Sequence, residues 1–180
     1  MTQNKPSPES PPALDAKAYR RTLGCFATGV TIITTRRASG ENVGLTVNSF
    51  NSVSLDPPLV LWSLSLYAQS LPAFQEASHF AVNILAADQV QLSQRFATSV
   101  PNKFEGVDVT YGAGGVPMIE GCAAYLQCRQ EYRHYGGDHI IFIGSVVEHI
   151  RTDREPLIFC KGEYMLGRPL RPESAGGASK

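Results

Sequence analysis

The sequence lacks an excess of charge of either sign and lacks any long apolar run. Its 180 residues contain 16 basic and 16 acidic side chains, which gives a net charge of zero at pH 7. This balance argues against a broad surface for nucleic acid or for an anionic membrane, so any anion must be bound locally. No apolar stretch reaches the roughly 18 residues that a membrane-spanning helix needs. We therefore predict no nucleic-acid partner and no membrane insertion.

Cysteine is scarce and is not spaced as metal sites require. The four cysteines never form a Cys-x-x-Cys motif and lie at Cys25, Cys122, Cys128 and Cys160. Because this spacing is unlike that of zinc sites, and no His-Glu-x-x-His motif is present, we predict no metal. The stretch from Met1 to Pro12 is polar and proline-rich, without the apolar core of a secretory signal. We therefore expect a cytoplasmic protein with reduced, mostly buried thiols.

Motifs of the commonest nucleotide and hydrolase sites are also missing. There is no Gly-x-Gly-x-x-Gly or Gly-x-x-x-x-Gly-Lys-Ser/Thr sequence, so a bound nucleotide would not lie on a Rossmann or P-loop frame. There is no Gly-x-Ser-x-Gly elbow for a hydrolytic serine either. A chain with many polar side chains but no cluster of nucleophile, acid and base suits chemistry that a bound cofactor carries.

What the sequence does contain is a succession of short, β-branched runs. We predict disordered tails at residues 1–14 and 168–180 around one domain at 15–167. About seven strands are expected, at 30–35, 43–50, 59–64, 80–85, 122–132, 139–147 and 156–165. The links are of hairpin length and no βαβ rhythm repeats. This pattern favours a mainly β fold, an antiparallel barrel or sandwich with short helices at its ends.

Three short helices are predicted from capping signals. Asp15 precedes an amphipathic helix that we expect to pack on the sheet. Ser70 is expected to cap a helix at 71–77, and Asp88 to start a third helix with Gln91 in the capping-box position.

The stretch Thr46–Pro58 is dense in hydroxyl and amide side chains and ends in a double proline. Strand periodicity directs Thr46 and Asn48 to one side and Val47 and Ser49 to the other. One polar face, with backbone amides freed by the prolines, suits the edge of a planar heterocycle. The competing interpretation is an ordinary Ser/Thr-rich strand and turn.

Three further segments are candidates for a polar ligand. Gly136–His139 forms a tight turn that allows close backbone approach, with His139 at the rim of the following strand. Ser65–Ser70 precedes a helix and suits a phosphate. Arg95–Phe104 combines cations with aromatic rings. The alternatives are a plain turn, a simple helix cap and a solvated surface loop.

Several of these segments occur together, in order, in a known family. They are Phe26-Ala27-Thr28-Gly29-Val30-Thr31, Thr46-Val47-Asn48-Ser49-Phe50, Ser52-Val53-Ser54-Leu55-Asp56-Pro57-Pro58, Phe80-Ala81-Val82-Asn83-Ile84-Leu85, Lys103-Phe104, Gly137-Asp138-His139, Pro156-Leu157 and Gly162-Glu163-Tyr164. From about Tyr19 to Tyr164 the chain closely resembles the flavin reductases that serve as the small components of two-component flavin-dependent monooxygenases. The resemblance implies an FMN-binding split barrel, an antiparallel Greek-key barrel that is normally a homodimer.

The resemblance also implies an activity and a set of contacts. The activity is NAD(P)H-dependent reduction of FMN or FAD, with the reduced flavin passed to a monooxygenase partner. Ring contacts are implied for Thr46, Val47, Asn48 and Ser49, and positions beside the ring for Ser52 and Val53. Contacts to the ribityl-phosphate are implied for the segment with Ser65, Leu66 and Ser70. Contacts to the phosphate or to the second nucleotide are implied for Lys103 and Phe104. The nicotinamide side falls to Gly137, Asp138 and His139.

One departure from the family pattern concerns the phosphate. Relatives often carry Ser, Thr, Lys or Arg where Leu66-Tyr67-Ala68-Gln69 stands here, so backbone amides would have to replace those side chains. Other interpretations of the same frame are an oxidoreductase with permanently bound flavin and a non-catalytic flavin- or haem-binding module. The sequence does not separate FMN from FAD or NADH from NADPH, and it does not identify the monooxygenase.

Overall fold

The computed structural model describes residues 14–170, and the tails predicted as disordered lie almost wholly outside them. The described residues form twelve strands, three α-helices and one short 3-10 helix, which confirms a mainly β fold. In chain order the elements are α1 Ala16–Leu23, β1 Thr28–Gly29, β2 Thr31–Arg36, β3 Asn42–Val47, β4 Asn51–Leu55, β5 Pro58–Ser65, α2 Leu71–Glu76, β6 His79–Ile84, α3 Val90–Ala97, β7 Val109–Tyr111, the 3-10 helix Ala113–Gly115, β8 Pro117–Ile119, β9 Ala124–Gly136, β10 His139–Arg151, β11 Leu157–Cys160 and β12 Glu163–Leu166.

Seven strands form one sheet in the order β3-β2-β6-β9-β10-β5-β4. Its strand pairs are all antiparallel, as the hairpin-length links predict. The two edge strands, β3 and β4, are neighbours in the chain and only residues 48–50 separate them. The sheet must therefore curl until its edges meet at this corner, and it forms an open barrel.

Ser49 connects that corner to β5, the neighbour of edge strand β4. Its hydroxyl accepts a hydrogen bond from the backbone N–H of Ser63 on β5 (3.0 Å) and donates one to the carbonyl of the same residue (3.1 Å). A side chain thus makes both bonds that a neighbouring strand would otherwise make.

Aromatic side chains fill the interior of the barrel. Trp62 stacks on Phe142 with the ring centroids 4.6 Å apart and meets Phe74 edge-on at 4.9 Å. These rings are fully buried, as is Phe80. A second cluster, with Ile32 and Phe96, lies between the sheet and α3. Every second residue of β5 is buried here, and so are the four central residues of β6.

Some element predictions are wrong. The strand expected at 156–165 is two strands, β11 and β12, because Lys161 and Gly162 both adopt positive φ (53° and 86°) and form a hairpin turn. The strand expected at 43–50 ends at Val47. The tight turn expected at Gly136–His139 is only Gly137-Asp138, since β9 continues to Gly136 and β10 begins at His139.

Of the three predicted caps, Asp15 makes its bond, Ser70 occupies the predicted cap position of α2 without a side-chain bond, and Asp88 is wrong. Asp15 does accept a hydrogen bond from the backbone N–H of Lys17 (2.9 Å). Ser70 adopts a helical conformation and makes no cap bond. Asp88 lies one residue too early: α3 begins at Val90, and Asp88 pairs with Arg154 instead.

Helix α1 was expected to pack on the sheet, but none of its residues is buried. The apolar side chains that its pattern aligns remain exposed, among them Tyr19 and Leu23, and Phe26 just beyond the helix. The thiols are also less buried than predicted: Cys122 and Cys128 are buried, Cys160 is partly buried and Cys25 is exposed.

Candidate active site

A cavity of about 730 Å³ runs along β3, the edge strand of the large sheet. We call it the β3 cavity. Its walls are the β2–β3 hairpin with β3, residues 68–70, and the segment from the end of α3 to residue 105. Four of the predicted site residues line it: Thr46, Ser70, Lys103 and Phe104. The volume lies within the usual range for a cofactor site, about 300–1,000 Å³.

The wall at β3 depends on a glycine. A Cβ at Gly44 would lie 2.8 Å from the ring of Phe96, closer than real contacts allow, and 3.2 Å from that of Phe104, which is a tight contact. The two rings meet edge to face with centroids 5.0 Å apart. Phe104 is thus packed against protein, and Gly44 lets both rings lie on the strand backbone.

Polar groups in this wall are already bonded within the protein. The hydroxyl of Thr46 donates to the carbonyl of Ser93 on α3 (2.7 Å). The ammonium of Lys103 donates to the carbonyl of Phe96 (2.9 Å), in the last turn of α3, and lies 3.5 Å from that of Gly44. These bonds fix α3 and the following loop against β3, and Thr46 keeps its acceptor lone pairs for a ligand.

Burial lowers the pKa of Lys103, because the charged ammonium loses contact with water. One of its three N–H groups is left for an anion in the cavity after the two carbonyl contacts.

The corner between β3 and β4 holds the other predicted ring contacts. Val47 is buried in the barrel core, Asn48 is exposed, and the hydroxyl of Ser49 is engaged with Ser63. Ser52 and Val53 are exposed on β4, where a bulge falls at Val53. None of these five predicted residues (Val47, Asn48, Ser49, Ser52 and Val53) lines the β3 cavity itself.

A second group of predicted residues meets where the β9–β10 hairpin lies beside the end of β5. We call this group the β10 rim; its members are Ser65, Leu66, Gly137, Asp138 and His139. His139 pairs with Ser65 across the two strands, and the N–H of Leu66 donates to the carbonyl of Asp138 (2.9 Å). Gly137 has a φ of 63°, which the tight turn requires and glycine adopts without strain.

The β10 rim presents an oriented imidazole. Nδ1 of His139 lies 2.8 Å from Oδ1 of Asp138, which leaves Nε2 for a ligand. The hydrogen bond from His139 holds the pKa of Asp138 below its usual value. Both side chains are largely exposed, so they can meet a molecule that arrives from solvent.

The segment from Ser65 to Ser70 connects the β10 rim to the β3 cavity. The hydroxyl of Ser65 accepts from the N–H of Tyr67 (3.2 Å), and its carbonyl accepts from the N–H of Ala68 (3.1 Å). Residues 68–70 then line the cavity. A ligand in the cavity and a second one at the rim would therefore contact the two ends of one short segment.

The sequence predicted the β2–β3 hairpin as a connection but not as a part of the site. Arg37, Glu41 and Asn42 all line the β3 cavity, and Nε of Arg37 lies 3.1 Å from Oε2 of Glu41. The cationic and amide side chains next to this edge strand were the sequence signal that could have identified the hairpin as part of the site. Over residues 14–170, no group of three His, Cys, Asp or Glu side chains could hold a metal ion.

The donor set of the β3 cavity fits a flavin phosphate ester. Hydroxyl and amide groups lie along β3, while cationic groups stand on the loop after α3 and on the hairpin. Mixed polar contacts of this kind suit a flat ring with many hydrogen-bonding edges, and the cations suit a phosphate.

The chain is similar to flavin reductases over most of its length. The model of the flavin reductase like domain family matches residues 23–167. The chain is 45% identical over 150 residues to FMN reductase (NADH) SmoA of Agrobacterium fabrum, which covers 83% of this chain and 85% of that protein. It is 41% identical over 154 residues to the flavin-dependent monooxygenase reductase subunit HsaB of Rhodococcus jostii, covering 84% and 78%.

A solved structure shares the fold. NADH:FAD oxidoreductase SgcE6 of Streptomyces globisporus, in complex with NAD and FAD fragments, superposes with a TM-score of 0.80 at 37% identity, over 89% of this chain and 95% of that one. The likeness, together with the open sheet, confirms the predicted split barrel.

Proposed function

This chain belongs to the flavin reductase family, and we propose that it transfers a hydride from NADH or NADPH to FMN or FAD and supplies the reduced flavin to a partner monooxygenase. The observation that carries the proposal is the β3 cavity, with hydroxyl and cationic groups in its walls, joined by one short segment to a rim with an oriented imidazole. The relatives' activities, with NADH as reductant and flavin as acceptor, support it.

The chain's own residues bind and orient. A bound flavin supplies the ring that accepts the hydride, which no amino-acid side chain can do. Thr46 accepts a hydrogen bond from the ring edge, while its own hydroxyl proton is donated to the carbonyl of Ser93. Lys103 and Ser70 contact the phosphate together with the backbone N–H of Gln69, because the N–H groups of residues 66–68 already donate within the protein. Asn48 and the corner residues Ser49, Ser52 and Val53 border the ring.

The β10 rim binds the nicotinamide nucleotide. Asp138 holds the imidazole of His139 through Nδ1, so Nε2 faces the incoming nucleotide in a fixed orientation. The bond from Leu66 to Asp138 keeps the turn against β5. Hydride transfer then depends on the protein mainly through the positions that it gives to the two ligands.

Transfer of reduced flavin to a monooxygenase is the finer part of the proposal. The relative from Rhodococcus jostii is named as the reductase subunit of such an enzyme. A cavity on the edge strand, reached past an exposed hairpin, suits a flavin that enters and leaves at each turnover.

We also propose a homodimer, in the cytoplasm. Helix α1 exposes an apolar stripe that includes Tyr19 and Leu23. Leu166, at the end of β12, is exposed as well. A second copy of the chain would cover these side chains, which water otherwise contacts at a cost in free energy. Light scattering after size-exclusion chromatography tests the dimer. Over residues 14–170, no helix has the length and apolar character to cross a membrane.

The function is tested by mixing the full-length protein, without oxygen, with each combination of FMN or FAD and NADH or NADPH. Catalytic loss of the visible absorbance of oxidised flavin, with free flavin in excess, supports a reductase. Reduction of one equivalent only, with flavin that stays with the protein on gel filtration, indicates permanently bound flavin. Binding without reduction indicates a binding module and contradicts the proposal.

A further inference from the structure

The β2–β3 hairpin brings a second cation to the β3 cavity. Arg37 lines the cavity together with Glu41, and the two side chains form an ion pair at its hairpin end. The side chain of Arg37 is 30% exposed and that of Glu41 is 65% exposed, so the arginine is the more enclosed member.

The Arg37 guanidinium has donors to spare. Its Nε lies 3.1 Å from the Glu41 carboxylate, and within residues 14–170 the four N–H groups of its two terminal nitrogens have no protein partner. An exposed pair of this kind holds its members weakly, typically by less than about 1 kcal/mol. A phosphate can therefore take the open edge of the fork in a bidentate contact without first breaking a strong bond.

The two cations of the cavity lie beside different positions of the β3 wall. Lys103 contacts the carbonyl of Gly44, whereas Arg37 lies beside Glu41. Glu41 and Gly44 are three residues apart in the chain, so their backbones lie about 10 Å from each other. A single phosphate held by Lys103 and Ser70 leaves the hairpin end of the cavity unfilled. A ligand with a second phosphate and a nucleoside beyond it would reach that end.

We infer that Arg37 binds the adenylate half of FAD through its phosphate and makes this chain prefer FAD to FMN. The inference rests on the proposed function, since it names the flavin that the same cavity takes. The preference arises because FMN ends at its only phosphate and gains nothing from Arg37.

The test compares three variants by flavin affinity. Arg37→Gln removes the fork and keeps a polar side chain. Arg36→Gln is the matched control: it removes the same charge from the same hairpin, but the Arg36 guanidinium lies 4.8 Å over the ring of Tyr111 and donates to the carbonyl of Gly40 instead of lining the cavity. Glu41→Gln removes the carboxylate that competes with a phosphate for Arg37.

Dissociation constants for FAD and for FMN are measured by fluorescence titration at fixed salt. Wild-type protein is expected to bind FAD more tightly than FMN. Arg37→Gln is expected to weaken FAD about tenfold, as loss of a charge-assisted contact does, and to leave FMN within about twofold. Arg36→Gln is expected to change neither, and Glu41→Gln to tighten FAD by about threefold, because a carboxylate near the phosphate is removed.

The outcomes separate this inference from the function beneath it. Equal loss of FAD and FMN affinity in Arg37→Gln, or loss of neither, overturns the role of Arg37 while the reductase remains. Loss of FAD affinity in Arg36→Gln to the same extent overturns it too, since a general charge effect would then suffice. Absence of binding of either flavin to the wild-type protein rejects the proposed function itself. Circular dichroism spectra of the variants confirm that each is folded.

Discussion

The β3 cavity and the β10 rim hold their polar groups in opposite ways. In the cavity, Thr46 and Lys103 donate hydrogen bonds to backbone carbonyls of α3, and Phe104 is packed against Phe96. At the rim, Asp138 and His139 contact each other and are otherwise exposed. A wall made of bonded groups selects a ligand by shape and by its remaining lone pairs and donors. A rim made of exposed groups selects it by side-chain contact, with little effect on the fold.

The comparison predicts that changes in the cavity wall alter stability and binding together. The largest effect is expected for Gly44→Ala, because the new Cβ would meet the rings of Phe96 and Phe104 at 2.8 Å and 3.2 Å. Overpacking of this kind costs about 1–3 kcal/mol of unfolding free energy. The displaced rings should also lower flavin affinity. Urea denaturation and flavin titration measure the two effects.

Gly29→Ala is the matched control for that variant. Gly29 also lies in a strand, but a Cβ there would meet nothing within 4 Å. Its unfolding free energy should stay within about 0.5 kcal/mol of the wild type. Equal stability of Gly44→Ala and Gly29→Ala would show that the aromatic pair adjusts freely and that the wall is not rigid.

The double variant Thr46→Val, Ser49→Ala tests the polar part of the wall and its corner. It removes one bond to Ser93 and two to Ser63, so a stability loss of about 2 kcal/mol is expected with the fold retained. Flavin affinity should fall about tenfold, through loss of a ring contact. Thermal unfolding and fluorescence titration give the two values. Normal flavin binding by this variant would place the ring elsewhere.

The fold was more predictable than the contacts of the site. Strand positions followed from β-branched runs, and the turn at Gly137-Asp138 from its glycine, because both signals are local. The hairpin at Lys161-Gly162 was missed, since a lysine with positive φ has no sequence signature. The exposed face of α1 was missed as well, because an apolar stripe indicates burial without naming what buries it.

The site residues show the same limit. Local patterns selected Thr46, Lys103 and His139 as site residues. They did not predict that the Thr46 hydroxyl and the Lys103 ammonium are bonded to carbonyls of α3. Arg37 was missed because its place in the cavity depends on the curl of the whole sheet, which brings a hairpin tip beside a loop 60 or more residues away in sequence. Such proximity is a tertiary property.

At the β10 rim, substitutions should alter nucleotide use and leave stability unchanged. His139→Ala is expected to raise KM for NADH about tenfold and to leave flavin affinity as it is, because Nε2 no longer meets the nucleotide. Asp138→Asn should raise KM by a smaller factor, about threefold, since the imidazole loses its orienting carboxylate. Steady-state kinetics measures KM for NADH, and rapid-mixing experiments measure nicotinamide affinity and the rate of hydride transfer. Unchanged nicotinamide affinity and rate in His139→Ala would remove the residue from the site.

The smallest functional effect is expected away from both regions, at the thiols. Burial raises the pKa of Cys122 and Cys128 to about 12, so both stay protonated and unreactive at pH 8 in the folded protein, whereas Cys25 is exposed. A thiol reagent should therefore modify Cys25 first, Cys160 more slowly and the other two only after unfolding. Mass spectrometry of the labelled peptides measures this order. Because neither the β3 cavity nor the β10 rim contains a cysteine, flavin reduction should be unaffected by labelling of Cys25, and a loss of activity would mean that the segment after α1 contributes to the site.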